Sequence, residues 1–376
     1  MNQLGVLYLC IDDYKQAEPL QKQAVAMLEK TPGPDRLDLA EGLHDLATLY
    51  ANRFQYQKSE ALFKRALAIR EKTLGPKHPD VAKTLTGLAL IYLVKNGQQK
   101  AEPFMKRAQA IMEKKPKVKP IDQVRYLYSL GYFYHAQKKL EEAEKLYQQS
   151  LAVSEEAYGP DHPWNAPNLW GLGQVYVEQK KHEKAKLLLK QSIAIIEKSA
   201  GSENPYIALN LNSLGTINVI QGKYQEAEKC YQRALAIQEK VFGPKHPCQI
   251  ETMQYLGFAY LFQGELDPAK SLFQRSRDIL EKISNPTPRE AGGFRGLAFF
   301  HMILEEYEKA EPLLKRAITI CEKNHGPESS ETILSLKFLA KLYKDTNRTA
   351  EAEKIEERIE KIQSKNKKDS AENSKP

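Results

Sequence analysis

Leucine returns every 42 residues along this chain, at Leu4, Leu46, Leu88, Leu130, Leu172, Leu214 and Leu256, then one residue early at Leu297, then at Leu339. A fixed period of this length signals an architecture of repeated supersecondary units, none of which can bury its apolar face alone. The residue after each leucine is small: Gly5, Ala47, Ala89, Gly131, Gly173, Gly215, Gly257, Ala298 and Ala340. Close approach of two helices restricts size in this way. Three residues further stands an aromatic in most units (Tyr8, Tyr50, Tyr92, Tyr134, Tyr176, Tyr260, Tyr343), with Asn218 and His301 as exceptions. Spacings of three and four place these positions on one helical face.

A second series follows thirteen residues after each leucine: Ala17-Glu18, Ser59-Glu60, Ala101-Glu102, Ala143-Glu144, Ala185-Lys186, Ala227-Glu228, Ala269-Lys270, Ala310-Glu311 and Ala352-Glu353. It opens a second helix, apolar on one face and charged on the other, as in Leu62-Phe63-Lys64-Arg65-Ala66-Leu67-Ala68-Ile69. Each unit is therefore a helix hairpin. Between hairpins lie Gly75-Pro76-Lys77-His78-Pro79, Gly159-Pro160-Asp161-His162-Pro163 and Gly243-Pro244-Lys245-His246-Pro247, with weaker versions at 201–205 and 326–327. Glycine permits a left-handed helix end, and proline suits the first turn of the next helix. His78, His162 and His246 stand two repeat steps apart, too far to share a metal, and are read as loop structure.

The order Leu-small-x-x-Tyr, then Ala, then Phe or Tyr, then Ala resembles the tetratricopeptide repeat over nearly the whole chain. The 42-residue period and the phrase from Arg65 to Ala82 look like the kinesin light chain subtype. The resemblance implies an all-α fold, a right-handed superhelical solenoid of about nine stacked hairpins over residues 1–363. Its units run approximately 1–35, 36–79, 80–121, 122–163, 164–205, 206–247, 248–288, 289–330 and 331–363. The first is N-terminally truncated, because Leu4 falls only three residues after Met1. Residues 364–376, rich in Lys, Ser and Asn, are expected to be a disordered tail.

In kinesin light chains, paired asparagines before the first-helix leucine help to clamp acidic, aromatic-containing cargo peptides. Here the pair survives only as Asn212-Ser213, so that cargo preference is not carried over. A joining coiled coil is absent as well, which makes the chain a relative and not a motor subunit.

By the same resemblance, the first helix of each unit lines a concave face. Ligand-facing positions then lie five and two before, and two and five after, the recurring leucine. They read Glu41, His44 and Thr48; Lys83, Thr86, Leu90 and Leu93; Arg125, Tyr128, Tyr132 and His135; Trp170, Gln174 and Val177; Asn212, Thr216 and Val219; Gln254, Phe258 and Leu261; Arg295, Phe299 and Met302; and Lys337, Lys341 and Lys344. The candidate peptide-binding set is Lys83, Arg125, Tyr128, Tyr132, His135, Trp170, Gln174, Asn212, Gln254, Phe258, Arg295, Phe299, Lys337 and Lys341. Aromatics beside arginine concentrate binding energy, so the expected guest is an extended peptide with acidic and apolar side chains.

The chain contains no GxGxxG, GxxxxGK or HExxH and no convergent catalytic set, so neither catalysis nor a cofactor nor a small-molecule substrate is expected. The excess of 56 Lys and Arg over 48 Asp and Glu is spread along the length, unlike the basic stripe of a nucleic-acid binder. Stacking of bases on Tyr128, Tyr132 and Trp170 beside Arg125 is the rival reading, and the recruitment arm of a larger signalling protein is a third. Cys10, Cys230, Cys248 and Cys321 form no CxxC pair, which fits a reducing cytoplasm. No run approaches the roughly 18 apolar residues of a membrane span. The expectation is a non-catalytic adaptor whose partners are other proteins.

Overall fold

The computed structural model describes residues 11–30, 36–52, 55–96, 98–114, 118–284 and 286–372, and these are all-α. Leu4, Gly5, Tyr8 and Cys10, where a first helix is expected, lie outside the described residues. The chain divides into two compact units, Met1–Gln221 and Gly222–Pro376, each a solenoid of helices stacked in chain order. The division falls inside the repeat expected at 206–247, between its two helices.

The first unit contains α1 (Ile11–Lys30), α2 (Leu37–Asn52), α3 (Tyr56–Leu74), α4 (Pro79–Asn96), α5 (Gln98–Met112), α6 (Pro120–Ala136), α7 (Leu140–Tyr158), α8 (Asn165–Glu178), α9 (His182–Ala200) and α10 (Pro205–Ile220). The second contains α11 (Tyr224–Phe242), a short 3-10 turn (Pro247–Gln249), α12 (Ile250–Phe262), α13 (Leu266–Leu280), α14 (Pro288–Ile303), α15 (Tyr307–His325), α16 (Ser330–Asp345) and α17 (Thr349–Glu372). Antiparallel pairs such as α6/α7 and α14/α15 make the closest contacts.

The two periodic series meet as hairpin cores. Ala101, Ala143, Ala185, Ala227, Ala269, Ala310 and Ala352, with Ser59, are wholly buried near the start of the second helices. A Cβ added to Gly131, Gly173 or Gly257 would stand 3.1 Å from Tyr147, 3.1 Å from Leu189 or 2.7 Å from Phe273, so the small position is one of close helix approach. Phe63, Tyr147 and Phe273 are among the largest fully buried side chains. Phe63 and Tyr147 also reach the next hairpin, where a Cβ on Gly87 or Gly171 would come within 2.7 and 2.6 Å of their rings. Each such ring wedges two hairpins together, and truncating one to alanine costs about 3–5 kcal/mol.

The aromatic after the small residue has a partner that spacing alone does not reveal. Tyr50, Tyr92, Tyr176 and Tyr343 donate their hydroxyls to Glu18, Glu60, Glu144 and Glu311 of the preceding hairpin, at 3.3, 2.8, 3.1 and 3.1 Å. The Tyr series and the Ala-Glu series are thus two halves of one bond between neighbours.

Linker glycines 75, 159, 201, 243 and 326 all have φ between 81° and 90°. Their ψ values lie near 160°, for example 161° at Gly243, so the conformation is extended at positive φ instead of the expected left-handed helical one. That region is essentially restricted to glycine. The histidines cap the next helix: the ring Nδ1 atoms of His78, His162 and His246 accept the backbone N–H of Asp80, Trp164 and Cys248 at 3.2, 3.3 and 3.2 Å. At the shortened repeat, α13 ends early and Thr287 takes over the start of α14, its N–H donating to Glu290 at 2.6 Å.

Of the expected tail, residues 364–372 continue helix α17, anchored by Ile359 and Ile362 in the last core cluster and by Lys365, which pairs with Glu328 at 2.8 Å, whereas 373–376 lie outside the described residues.

Two measurements test this framework. Gly243→Ala should destabilise the chain by about 1–3 kcal/mol, read as a lower urea midpoint. The Arg348 guanidinium, which bonds Glu311 at 2.6 Å, holds the Glu311 carboxyl down at about 2, below its ordinary 4.5. A depressed carboxylate contributes stability that is complete above its unfolded value and lost as pH falls through the folded one. Acidification from about 4.5 towards 2 should therefore cost the wild type more stability than Glu311→Gln.

Candidate functional site

The face under test is that of the first helices, α2, α4, α6, α8 and α10 in one unit and α12, α14 and α16 in the other. Successive first helices touch directly within each unit, as where Gln174 Nε2 on α8 donates to Ser213 Oγ on α10 at 2.8 Å. This contact covers much of what periodicity alone marks as exposed. His44, Thr48, Thr86, Leu90, Asn212, Gln254 and Met302 are buried. Gln254 is a structural residue, its Nε2 donating to Ser276 Oγ at 2.9 Å and to the Gly293 carbonyl at 2.8 Å.

In the first unit the charged candidates are already matched. Lys83 pairs with Glu41 at 2.5 Å. The same carboxylate is held by Arg70, which is 2% exposed and also donates to Thr84 Oγ1 at 2.6 Å and to the Asp80 carbonyl at 3.1 Å. Burial, then the neighbouring Arg70 and Lys83, push His44 well below the usual imidazole range and keep it neutral. Burial likewise lifts the Asp45 carboxyl to about 6. Arg125 lies 4.8 Å over the Trp164 ring and 3.7 Å from Asp122. Between these helices is a small cavity of about 50 Å³, with His44, Thr48, Lys83, Thr86, Arg125 and Ser129 in its wall. His135 Nε2 lies within hydrogen-bonding distance of Glu178 Oε1, at 3.0 Å, and burial lowers its basicity despite that carboxylate.

Neutral aromatics remain. Tyr128 and Tyr132 on α6 and Trp170 on α8 are partly exposed. The Tyr128 ring lies 5.7 Å from Tyr147, the second-helix wedge whose phenol end sits against Gly171. Sequence reasoning missed Tyr147 because it belongs to a second helix. The available signal was a glycine at 171, shared with Gly87 above Phe63 and with Gly296, where the remaining units carry Asp45, Ser129, Ser213, Tyr255 or Phe338.

The second unit differs. Phe258 on α12, Phe299 on α14 and Phe338 on α16 form a continuous row, with ring centroids 5.5 and 5.9 Å apart. Phe338 is the member that spacing did not single out. Lys341 lies 5.9 Å from the Phe299 centroid, and it and Lys337 are exposed without a carboxylate partner among the described residues. Arg295 is tied to Ser335 Oγ at 3.1 Å, and Lys344 to Glu356 at 2.5 Å.

Comparison with known proteins places this geometry. A family model described as tetratricopeptide repeat matches residues 1–72, 43–114, 122–198, 206–282 and 290–365. A search among curated proteins finds no match. Among solved structures, a Rap protein complexed with competence and sporulation factor is similar at TM-score 0.66 and 16% identity, covering 96% of this chain and 97% of that one. The quorum sensor NprR in complex with its cognate peptide NprX is similar at TM-score 0.54 and 18% identity, over 78% and 84% of the two chains. A putative kinesin light chain from Podosopora anserina, with nearly identical TPR-like repeats, reaches 24% identity at TM-score 0.35, over 67% and 98%. At these identities the first two likenesses speak for the fold alone, whereas the family model spans most of the sequence: the chain belongs to the tetratricopeptide repeat family.

Proposed function

We propose that this protein is a non-catalytic interaction scaffold whose first-helix faces bind extended peptide segments of partner proteins. The observation that carries this reading is the Phe258–Phe299–Phe338 row with Lys337 and Lys341 beside it. Partly exposed rings in a continuous line offer large contact area at little entropic cost, and unpaired ammonium groups alongside favour a carboxylate on the guest. A segment with acidic and apolar residues fits that stripe. The peptide complex of the fold relative NprR supports the same use of such a surface. No helix among the described residues is long and apolar enough to cross a membrane, and a cytoplasmic site of action agrees with this.

Binding of a fluorescent peptide of alternating Glu and Phe residues to the full chain tests the reading. Lys337→Glu with Lys341→Glu, and separately Phe299→Ala, should each weaken binding roughly tenfold or more at unchanged helicity, with salt weakening the wild-type interaction. Equal affinity in wild type and variants would remove the second unit's face as the site.

A further inference from the structure

The tyrosine series and the glutamate series break at the same two junctions. Where the first-helix aromatic is replaced, by Asn218 and by His301, the glutamate that would accept from it is replaced as well, by Lys186 and by Lys270. At the first junction the lysine is answered from within: Lys186 Nζ donates to Gln221 Oε1 at 2.5 Å, three residues beyond Asn218. The same position holds Gln179 and Gln263 in other units, which donate to Glu144 and Glu228 at 2.8 and 3.0 Å. At the second junction it holds Leu304, which can accept nothing. Lys270 is exposed and has no hydrogen-bond or ion-pair partner among the described residues. His301 turns to its own hairpin instead, its Nδ1 lying 2.6 Å from Glu306 Oε2.

A groove of about 430 Å³ stands where the missing bond would be, between α13 and the α14/α15 hairpin. Its α14 wall is Leu297, Phe300, His301 and Leu304, whose spacings of three and four put them on one face of that helix, nearly opposite Phe299. The groove is therefore a surface separate from the Phe258–Phe299–Phe338 row. Its floor is apolar: Phe300 stacks on Phe273 at 4.1 Å, and Leu304 is half-buried. Its rim is basic, with Lys270, Arg277 and Lys309 against Glu306. Arg277 is matched by Glu281 at 2.7 Å and Lys309 by Glu306 at 2.8 Å. One ammonium, that of Lys270, is left without a counter-charge.

A lone cation above an apolar floor is complementary to a single carboxylate on an apolar stem. A phosphoryl group, at about −1.5 to −2 charges, exceeds what the rim leaves open. The volume also lies above the roughly 300 Å³ at which clefts begin to enclose a ligand group. We propose that this groove is a second docking site, which receives an acidic side chain of a partner protein, its carboxylate paired with Lys270 and its apolar neighbours resting on Leu304. The guest brings a carboxylate back to a junction that in other units holds Glu18, Glu60, Glu144 or Glu311. The site goes beyond the first-helix reading and does not rest on it.

The test uses the full chain carrying Lys337→Glu and Lys341→Glu, in which the first-helix stripe is disabled, and a fluorescein-labelled peptide of alternating Glu and Leu residues read by anisotropy. Saturable binding is expected, with Kd rising several-fold as salt is raised from about 0.05 to 0.5 M. Adding Lys270→Glu should weaken it about tenfold or more at unchanged helicity. Lys270→Glu together with His301→Tyr restores the tyrosine and glutamate of the other junctions and closes the groove. That variant should lose the peptide while its thermal midpoint stays at or above that of the parent, which separates a blocked site from a damaged fold. Absence of binding to the parent chain, or binding unchanged in both variants, would overturn the site and leave the first-helix reading untouched. Tighter binding of the same peptide with phosphoserine in place of Glu would overturn the carboxylate as the guest group.

Discussion

The insertion of one large second-helix side chain between two first helices is the contact on which the rest of each unit depends. Phe63 against Gly87 and Tyr147 between Gly131 and Gly171 join a hairpin to its successor, and Phe273 against Gly257 closes a hairpin on itself. No hairpin buries its apolar face alone, so stability is a sum over such neighbour contacts. The tyrosine–glutamate bonds, from Tyr50 to Glu18 through Tyr343 to Glu311, reinforce the same junctions at the edge of the core. They also explain why the glutamates of the Ala-Glu series are half-buried: Glu18, Glu60, Glu144 and Glu311 have side chains 16, 14, 22 and 19% exposed.

The packing that builds the units also shapes their surfaces. First helices that touch must cover some of their own face, which is why Asn212 and Gln254 are internal while Phe258 and Trp170 reach the surface. Charge is redistributed in the same way. The Glu41 carboxylate answers both Arg70 and Lys83, and Glu178 answers both His135 and Lys138. What the first-helix face of the first unit keeps partly exposed is then the neutral aromatics Tyr128, Tyr132 and Trp170. The second keeps its cations at Lys337 and Lys341, while Glu356 pairs with Lys344 and Glu311 with Arg348.

Much of the fold was legible because it is local and repeated. Helix type follows from spacings of three and four, hairpin ends from Gly-Pro-x-His-Pro, and close approach from the small residue after each leucine. The glycine conformation was half-read: positive φ was foreseen, but ψ near 160° was not, because ψ depends on where the next helix must start. The end of α17 was misjudged because composition cannot see that Ile359 and Ile362 dock and carry the following residues along as helix.

By itself the sequence determined the period, the two helices of each unit, the buried small positions and hence membership of a stacked-hairpin family, since all of these rest on chemistry within about one turn of helix or one linker. Tertiary structure alone decided which face residues remain accessible, which charges are already neutralised, and that Tyr147, from a second helix, fills the space between two first helices. Those outcomes depend on pairs of side chains about 30 to 40 residues apart, such as Tyr176 with Glu144 and Lys83 with Glu41, whose meeting is set by how one hairpin leans on the next and not by either residue's own neighbours in sequence.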